Sequence, residues 1–248
     1  MEDRTSSHYE RLAEDYNDNW VYNPGFIEWM TRHILDRLNI RPGDRSADIG
    51  CGTGLYSKAL AERTSQVLCI DPSAGMLEQL PESPALTPVQ ASAEAVVSGE
   101  VALPYDRFDA ILVKEAIHHV GDRFRTLDGL ARMLAPGGRL LVVMLPTRID
   151  YPLFSAALEL FEQLQPDPHD VATAMRVSGL HVDMQYESFA LSFDKARYIG
   201  MVRSRYMSLL SSFDDAKLEQ GIAEMNSRYL GDRLDFVDRH AFILGTGQ

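Results

Sequence analysis

The stretch that decides the fold is Asp48-Ile49-Gly50-Cys51-Gly52-Thr53-Gly54, which follows the short strand-like run from Ser46 and precedes a helical pattern over 55–63. Glycine accepts positive φ and carries no Cβ, so glycines at a strand-to-helix junction let a ligand come close to the backbone. In an open α/β sheet that junction lies beyond the C-terminal ends of the strands, where ligands bind. The next strand-like run, Gln66 to Ile70, leads into Asp71, nineteen positions after Gly52. An acid there can accept both hydroxyls of a ribose. Together the two signals point to an adenosine-containing ligand.

The spacing then narrows the ligand. A dinucleotide fingerprint continuing from Gly50 and Gly52 needs Gly or Ala at 55, which is Leu55. A Walker loop needs a Gly-Lys-Ser/Thr ending, which is absent.

Outward from the loop, strands and helices alternate between 45 and 145. Strands are expected at 46–49, 66–70, 86–90, 108–113 and 139–145, with helices at 55–63, 73–80 and 124–134. Short apolar strands separated by helices imply a parallel sheet covered on both faces. Upstream, Ser7-His8-Tyr9-Glu10 has the form of a capping box, and Tyr9, Ala13 and Tyr16 then share a helix face. Asn23-Pro24 starts a second helix, the first residue as cap and the second at the first helical position. Downstream, helices are expected at 151–165 and 171–178, either side of a Pro-rich loop at 165–169. A strand at 181–193, helices at 194–212 and 214–228, and a last strand at 236–244 complete the reading. Ile199, Val202, Tyr206, Leu209 and Phe213 make an apolar stripe through the first of those two helices. The expected fold is one α/β domain over 1–248, a seven-stranded, mostly parallel sheet with helices on both faces and the last strand antiparallel. Residues 45–146 form its cofactor-binding core; 1–41, 147–180 and 194–230 are helical lids.

Composition excludes several classes. The chain is 45% apolar, with 24 Lys and Arg against 36 Asp and Glu, a net charge of -12. That balance argues against nucleic acid as the partner. No apolar run reaches the ~20 residues of a membrane span, and the N-terminus lacks the apolar core of a signal peptide. A cytoplasmic enzyme with a small-molecule substrate is expected, with a homodimer as the candidate assembly. The two cysteines, Cys51 and Cys69, fall in or beside strand-like runs and are read as reduced thiols. With no CxxC and no HExxH, no metal is expected.

Residues 9 to 146 resemble the class I, Rossmann-like S-adenosylmethionine-dependent methyltransferases. Asp48 to Gly54 looks like the family's first motif, and the resemblance implies cofactor contacts at Asp48, Gly50, Cys51 and Gly52. Asp71-Pro72-Ser73 with Met76 looks like its ribose acid and adenine wall. Ser92-Ala93-Glu94 resembles its adenine-edge motif, with Ser92 where the family has Asp. Phe108 to Val120, carrying Lys114 and Glu115, resembles its fourth strand and following loop; Leu134 to Leu140 resembles its Pro-Gly-Gly turn. Tyr16 on the first helix joins the implied cofactor contacts. The implied activity is methyl transfer from S-adenosylmethionine, leaving S-adenosylhomocysteine, to an oxygen, nitrogen or activated carbon.

A sulfonium methyl is electrophilic without help, so the protein has to place the nucleophile and, where needed, take its proton. His118 and His119 follow the strand that in this family faces the methyl group, which makes them the candidates, His118 first as base or orienter. Substrate contacts are expected from the parts outside the common core: His169 beside Asp167 and Asp170, and Arg203, Arg205 and Tyr206 on a covering helix. Two rival classes stay open: a protein that binds S-adenosylmethionine without methylating, as a lyase, cyclase or regulator, and a nicotinamide-dependent oxidoreductase.

Overall fold

The computed structural model describes residues 23–247. Tyr16 and the capping box at Ser7 lie outside them. The chain enters through α1 (Pro24–Leu38), whose Asn23 side chain accepts from the Phe26 amide. Phe26, Met30, Ile34 and Leu38, spaced three to four apart, are its buried stripe.

The core follows as β1 (Arg45–Ile49), α2 (Ser57–Ala61), β2 (Gln66–Asp71), α3 (Ala74–Leu77), β3 (Leu86–Gln90), α4 (Ala93–Ser98), β4 (Phe108–Lys114), α5 (Arg123–Arg132) and β5 (Leu134–Met144). Then come α6 (Ser155–Leu164), α7 (Pro168–Val177), β6 (His181–Asp194), α8 (Lys195–Arg203), α9 (Asp215–Arg228) and β7 (Arg233–Thr246). The sheet order is β3-β2-β1-β4-β5-β7-β6, with β7 antiparallel to both neighbours and β1 to β5 parallel. The expected seven-stranded architecture is present. Among the described residues no helix is long and apolar enough to cross a membrane.

Four differences from the sequence reading bear on the site and its cover. Helix α4 was not expected; its Ser92 cap and Gly99 stop enclose only six residues, too few to show a period. β5 begins at Leu134, because Pro136-Gly137-Gly138 is a bulge within the strand and not a turn before it. A Cβ on Gly138 would lie 2.8 Å from the Ala135 carbonyl and 2.9 Å from that of Phe108, so only glycine fits. The Pro-rich loop at 165–169 becomes the start of α7, with Asp167 as cap and Pro168 in its first turn. The helix expected over 194–212 stops at Arg203, where Arg205 takes φ +57 and a 3-10 turn at Ser208–Ser212 follows. The stripe read through Phe213 therefore does not lie on one helix.

Side chains alternate across a sheet. Leu68, Ile70, Ile111, Val113, Val142 and Ile243 pack on one face, with Leu127 and Leu130 of α5 and Met175 of α7. Val67, Cys69, Leu112, Val143 and Phe242 pack on the other, under α1, α6, α8 and α9. By the same alternation Asp48, Asp71, Lys114, Asp238 and His240 fall on this second face, near the C-terminal edge of the parallel strands.

Candidate functional site

The glycine loop is pinned before it is shaped. The amides of Gly50 and Cys51 both donate to the Ile70 carbonyl, at 2.7 and 3.1 Å. Gly50, Gly52 and Gly54 take φ of 72°, 55° and 77°, a region that favours glycine. Their surroundings differ. A Cβ on Gly50 would lie 2.4 Å from the Ala116 Cβ, and one on Gly54 2.4 Å from the Leu80 side chain, whereas one on Gly52 would meet nothing within 4 Å. The outer two glycines serve close packing; the middle one borders open space that a side chain would fill.

Asp71 holds this loop from the next strand. One carboxylate oxygen accepts the Gly52 amide at 2.9 Å and the other the Ser73 amide at 2.9 Å. Burial pushes its pKa up, and those two bonds oppose the rise. Each oxygen keeps a lone pair, enough for two ribose hydroxyls. Met76 is buried behind it on α3, which Ser73 caps at 3.3 Å. The Pro72 carbonyl accepts from Gln90. Asp48 is buried and accepts the Ser57 hydroxyl at 2.6 Å; burial pushes its pKa up to about 6. The neighbouring Cys69 thiol and burial raise the Cys51 pKa, so Cys51 stays a thiol, and both cysteines are free.

The adenine-edge motif divides its labour. Ser92 caps α4 by accepting the Ala95 amide at 3.1 Å, and Ala93 is the first helical residue. Glu94 reaches across to the Gly121 amide at 3.0 Å, latching the loop that carries the histidines. In that loop Glu115 has φ 50, a strained value for a residue with a side chain. Lys114 lies 5.1 Å from the centre of the Tyr56 ring, and its charge acts on Asp48, Glu115, His118, Asp238 and His240 together. The His118 and His119 rings lie with centroids 3.9 Å apart, tilted by 49°. The Nδ1 of His118 is buried without a hydrogen-bond partner among the described residues, and burial, then the His119, Arg123 and Lys114 charges, hold its pKa well below the usual value.

Three site residues had no local signal in the sequence. Asp238 and His240 come from β7, and Tyr151 from the segment before α6. The Tyr151 hydroxyl donates to Asp238 Oδ1 at 2.8 Å, that oxygen lies 3.4 Å from His240 Nδ1, and His240 Nε2 lies 3.8 Å from Glu115 Oε1. The one cue was an Asp and a His at alternate positions of a strand whose same face carries Phe236 and Phe242.

Of the expected substrate residues, His169, Arg203 and Arg205 are not gathered here, whereas Tyr206 lies where the Asp238 charge acts on it. His169 is exposed in the first turn of α7, its amide donating to the capping Asp167. Arg203 forms a two-point pair with Glu219 at 2.7 and 3.0 Å. Arg205 pairs with Asp215 at 2.7 Å and with the Phe213 carbonyl. Both arginines are thus tied to α9 or the turn before it. Tyr206 is buried and shares a 2.8 Å hydrogen bond with Tyr198. No group of metal-ligating side chains occurs among the described residues.

Known proteins fit this geometry. A family model described as a methyltransferase domain matches residues 47–142, from the first strand to the fifth. A ubiquinone biosynthesis O-methyltransferase of Xylella fastidiosa is 32% identical over 220 residues, 75% of this chain and 86% of that protein. A demethylmenaquinone methyltransferase of Symbiobacterium thermophilum is 31% identical over 139 residues, a match that spans about half of each protein, 54% and 55%. Phosphoethanolamine N-methyltransferase 2 of Haemonchus contortus, solved with S-adenosyl-L-methionine, shares the fold with a TM-score of 0.61 at 19% identity, over 96% of this chain and 57% of that one. With open space at Gly52 and the Asp71 carboxylate beside it, the chain belongs to the class I S-adenosylmethionine-dependent methyltransferases, and S-adenosylmethionine is its cofactor.

Proposed function

We propose that this methyltransferase acts on a small organic molecule, with a hydroxyl oxygen as the favoured acceptor. One observation carries the reading: polar groups at the sheet edge lie under helical cover. Tyr151, Leu153 and Phe154 before α6, Tyr198 of α8, Tyr206 and Leu210 after it, and Ile222 and Met225 of α9 pack in one core with Leu145 and Phe242. A cover of that kind suits an enclosed acceptor better than an extended polymer. The O-methyltransferase relative supports oxygen over the nitrogen and carbon alternatives.

S-adenosylmethionine supplies a sulfonium methyl group and leaves as S-adenosylhomocysteine. The chain's own residues do the rest. The loop amides and Asp71 hold the cofactor, with Met76 and Ser92 on the adenine side and Asp48 fixing the loop through Ser57. The cover excludes water, and fixing the acceptor in line removes entropy from the barrier, several kcal/mol in well-oriented systems. Burial, then the His119, Arg123 and Lys114 charges, keep His118 a neutral imidazole, and its role is to orient the acceptor.

The test is incubation with S-adenosylmethionine bearing a deuterated methyl group and a protein-free metabolite extract. Mass spectrometry should find the label on a small molecule; label on protein alone would refute the proposal.

A further inference from the structure

The most unusual polar feature on the described surface of the sheet is the gap between Glu115 and His240. Its two facing atoms, Oε1 and Nε2, are 3.8 Å apart. That is too long for a hydrogen bond, and it is a distance one oxygen atom can bridge at ordinary hydrogen-bond length to each side. Glu115 Oε1 and His240 Nδ1 are both buried without a hydrogen-bond partner among the described residues. Of the two, Glu115 Oε1 faces the gap and Nδ1 faces Asp238 on the far side of the ring, so Glu115 Oε1 is the atom that a polar group seated in the gap would satisfy.

The gap adjoins the cofactor loop. The Glu115 amide donates to the Val143 carbonyl at 2.9 Å, and Ala116, next in sequence, is the residue that Gly50 packs against. His240 precedes Ala241, the register partner of Met144, so it stands at the end of β5. We propose that this gap seats the acceptor's hydroxyl group and that His240 Nε2 takes its proton. The inference rests on the small-molecule reading above and names the base for it. The acceptor's O–H bond breaks, the proton forms an N–H bond at Nε2, and the electron pair stays on oxygen as the nucleophile. The imidazolium then has Asp238 Oδ1 at 3.4 Å from Nδ1, with the Tyr151 hydroxyl fixing that oxygen. Burial and the Lys114 charge hold the His240 pKa well below the usual value, as burial and cationic neighbours do for His118, and among the described residues the Asp238 carboxylate beside Nδ1 is what sets His240 apart.

The groups facing His240 are Lys114 and Glu115 from β4 and its loop, and Asp238 with Tyr151 behind it. Across the sheet stands Glu187 of β6, paired with Arg37 of α1 beside His33. Burial pushes Glu115 up to about 7. Below that pH the protonated carboxyl donates to the acceptor's oxygen while that oxygen's own proton points at Nε2, so the rate should fall as pH rises through about 7, a limb that Glu115→Gln, which keeps a donor, removes.

The probe is 4-nitrophenol, whose phenolate absorbs at longer wavelength than the phenol, titrated with S-adenosylhomocysteine present and below the probe's own pKa. Wild type should show bound phenolate with the proton retained on the protein, and His240→Gln should lose that band while its thermal midpoint stays near wild type. No binding, a neutral bound probe, or an unchanged band in His240→Gln overturns the proposal. Should His240→Gln not fold, Asp238→Asn decides, with a band weakened about tenfold expected and an unchanged one contradicting it. The labelled-methyl assay separates the two levels. No labelled small molecule from wild type sinks the small-molecule reading and this inference with it. Labelling by wild type, with His240→Gln within about threefold of it, sinks this inference alone; a loss of about 10²-fold or more is expected of a base.

Discussion

The Asp71 carboxylate accepts the amide of Gly52 at 2.9 Å, so the proposed ribose acid also fixes the glycine loop of the proposed cofactor seat. One side chain serves both. Asp71→Ala should therefore weaken S-adenosylmethionine by about 2 kcal/mol, the scale of losing hydrogen bonds to a charged group, or roughly thirtyfold in Kd. Calorimetry checks it; an unchanged constant would place the ribose elsewhere.

Asp48 gives a pH signature. Its folded pKa of about 6 stands above the 3.8 of an ordinary aspartate because it is buried. The folded state thus holds more protons between those values, and stability from this group falls as pH rises through that window. Asp48→Asn keeps an acceptor for the Ser57 hydroxyl and removes the ionisation. Relative to wild type it should gain stability from about pH 4 to 6 and hold a gain on the order of 2 kcal/mol above. Urea denaturation across pH measures this; a variant less stable than wild type at pH 8 would contradict it.

Glu94 holds the histidine loop through the Gly121 amide. Glu94→Ala frees the Gly121 amide, and one lost bond of that kind is worth about 1 kcal/mol. Turnover should fall about fivefold while the Kd for S-adenosylmethionine moves less than twofold. A large loss of cofactor affinity would restore Glu94 to the adenine edge.

The order of the strands was legible because most are short apolar runs and two junctions carry their own signal, at Asp48 to Gly54 and at Asp71, whereas Gly137-Gly138 marked β5 from within, as its bulge. The break after Arg203 was not, since Arg205 at φ +57 is a position that no local pattern marks. The arginines read as substrate grips found partners on α9, Glu219 and Asp215, that lie far along the chain. His240 and Asp238 escaped notice for the same reason: their partners are Glu115 and Tyr151, joined to them only by sheet pairing across β5 and β7.

Gly52 carries the central claim, that the glycine loop and Asp71 form the cofactor's seat. A Cβ there would meet open space, so Gly52→Val fills the cradle at the cost of a strained φ of 55, on the order of 1–2 kcal/mol. The decisive measurement is calorimetric titration of S-adenosylmethionine into folded Gly52→Val and wild type at equal concentration. The account predicts a wild-type isotherm with one site and no measurable binding to the variant; wild-type affinity in Gly52→Val would contradict it.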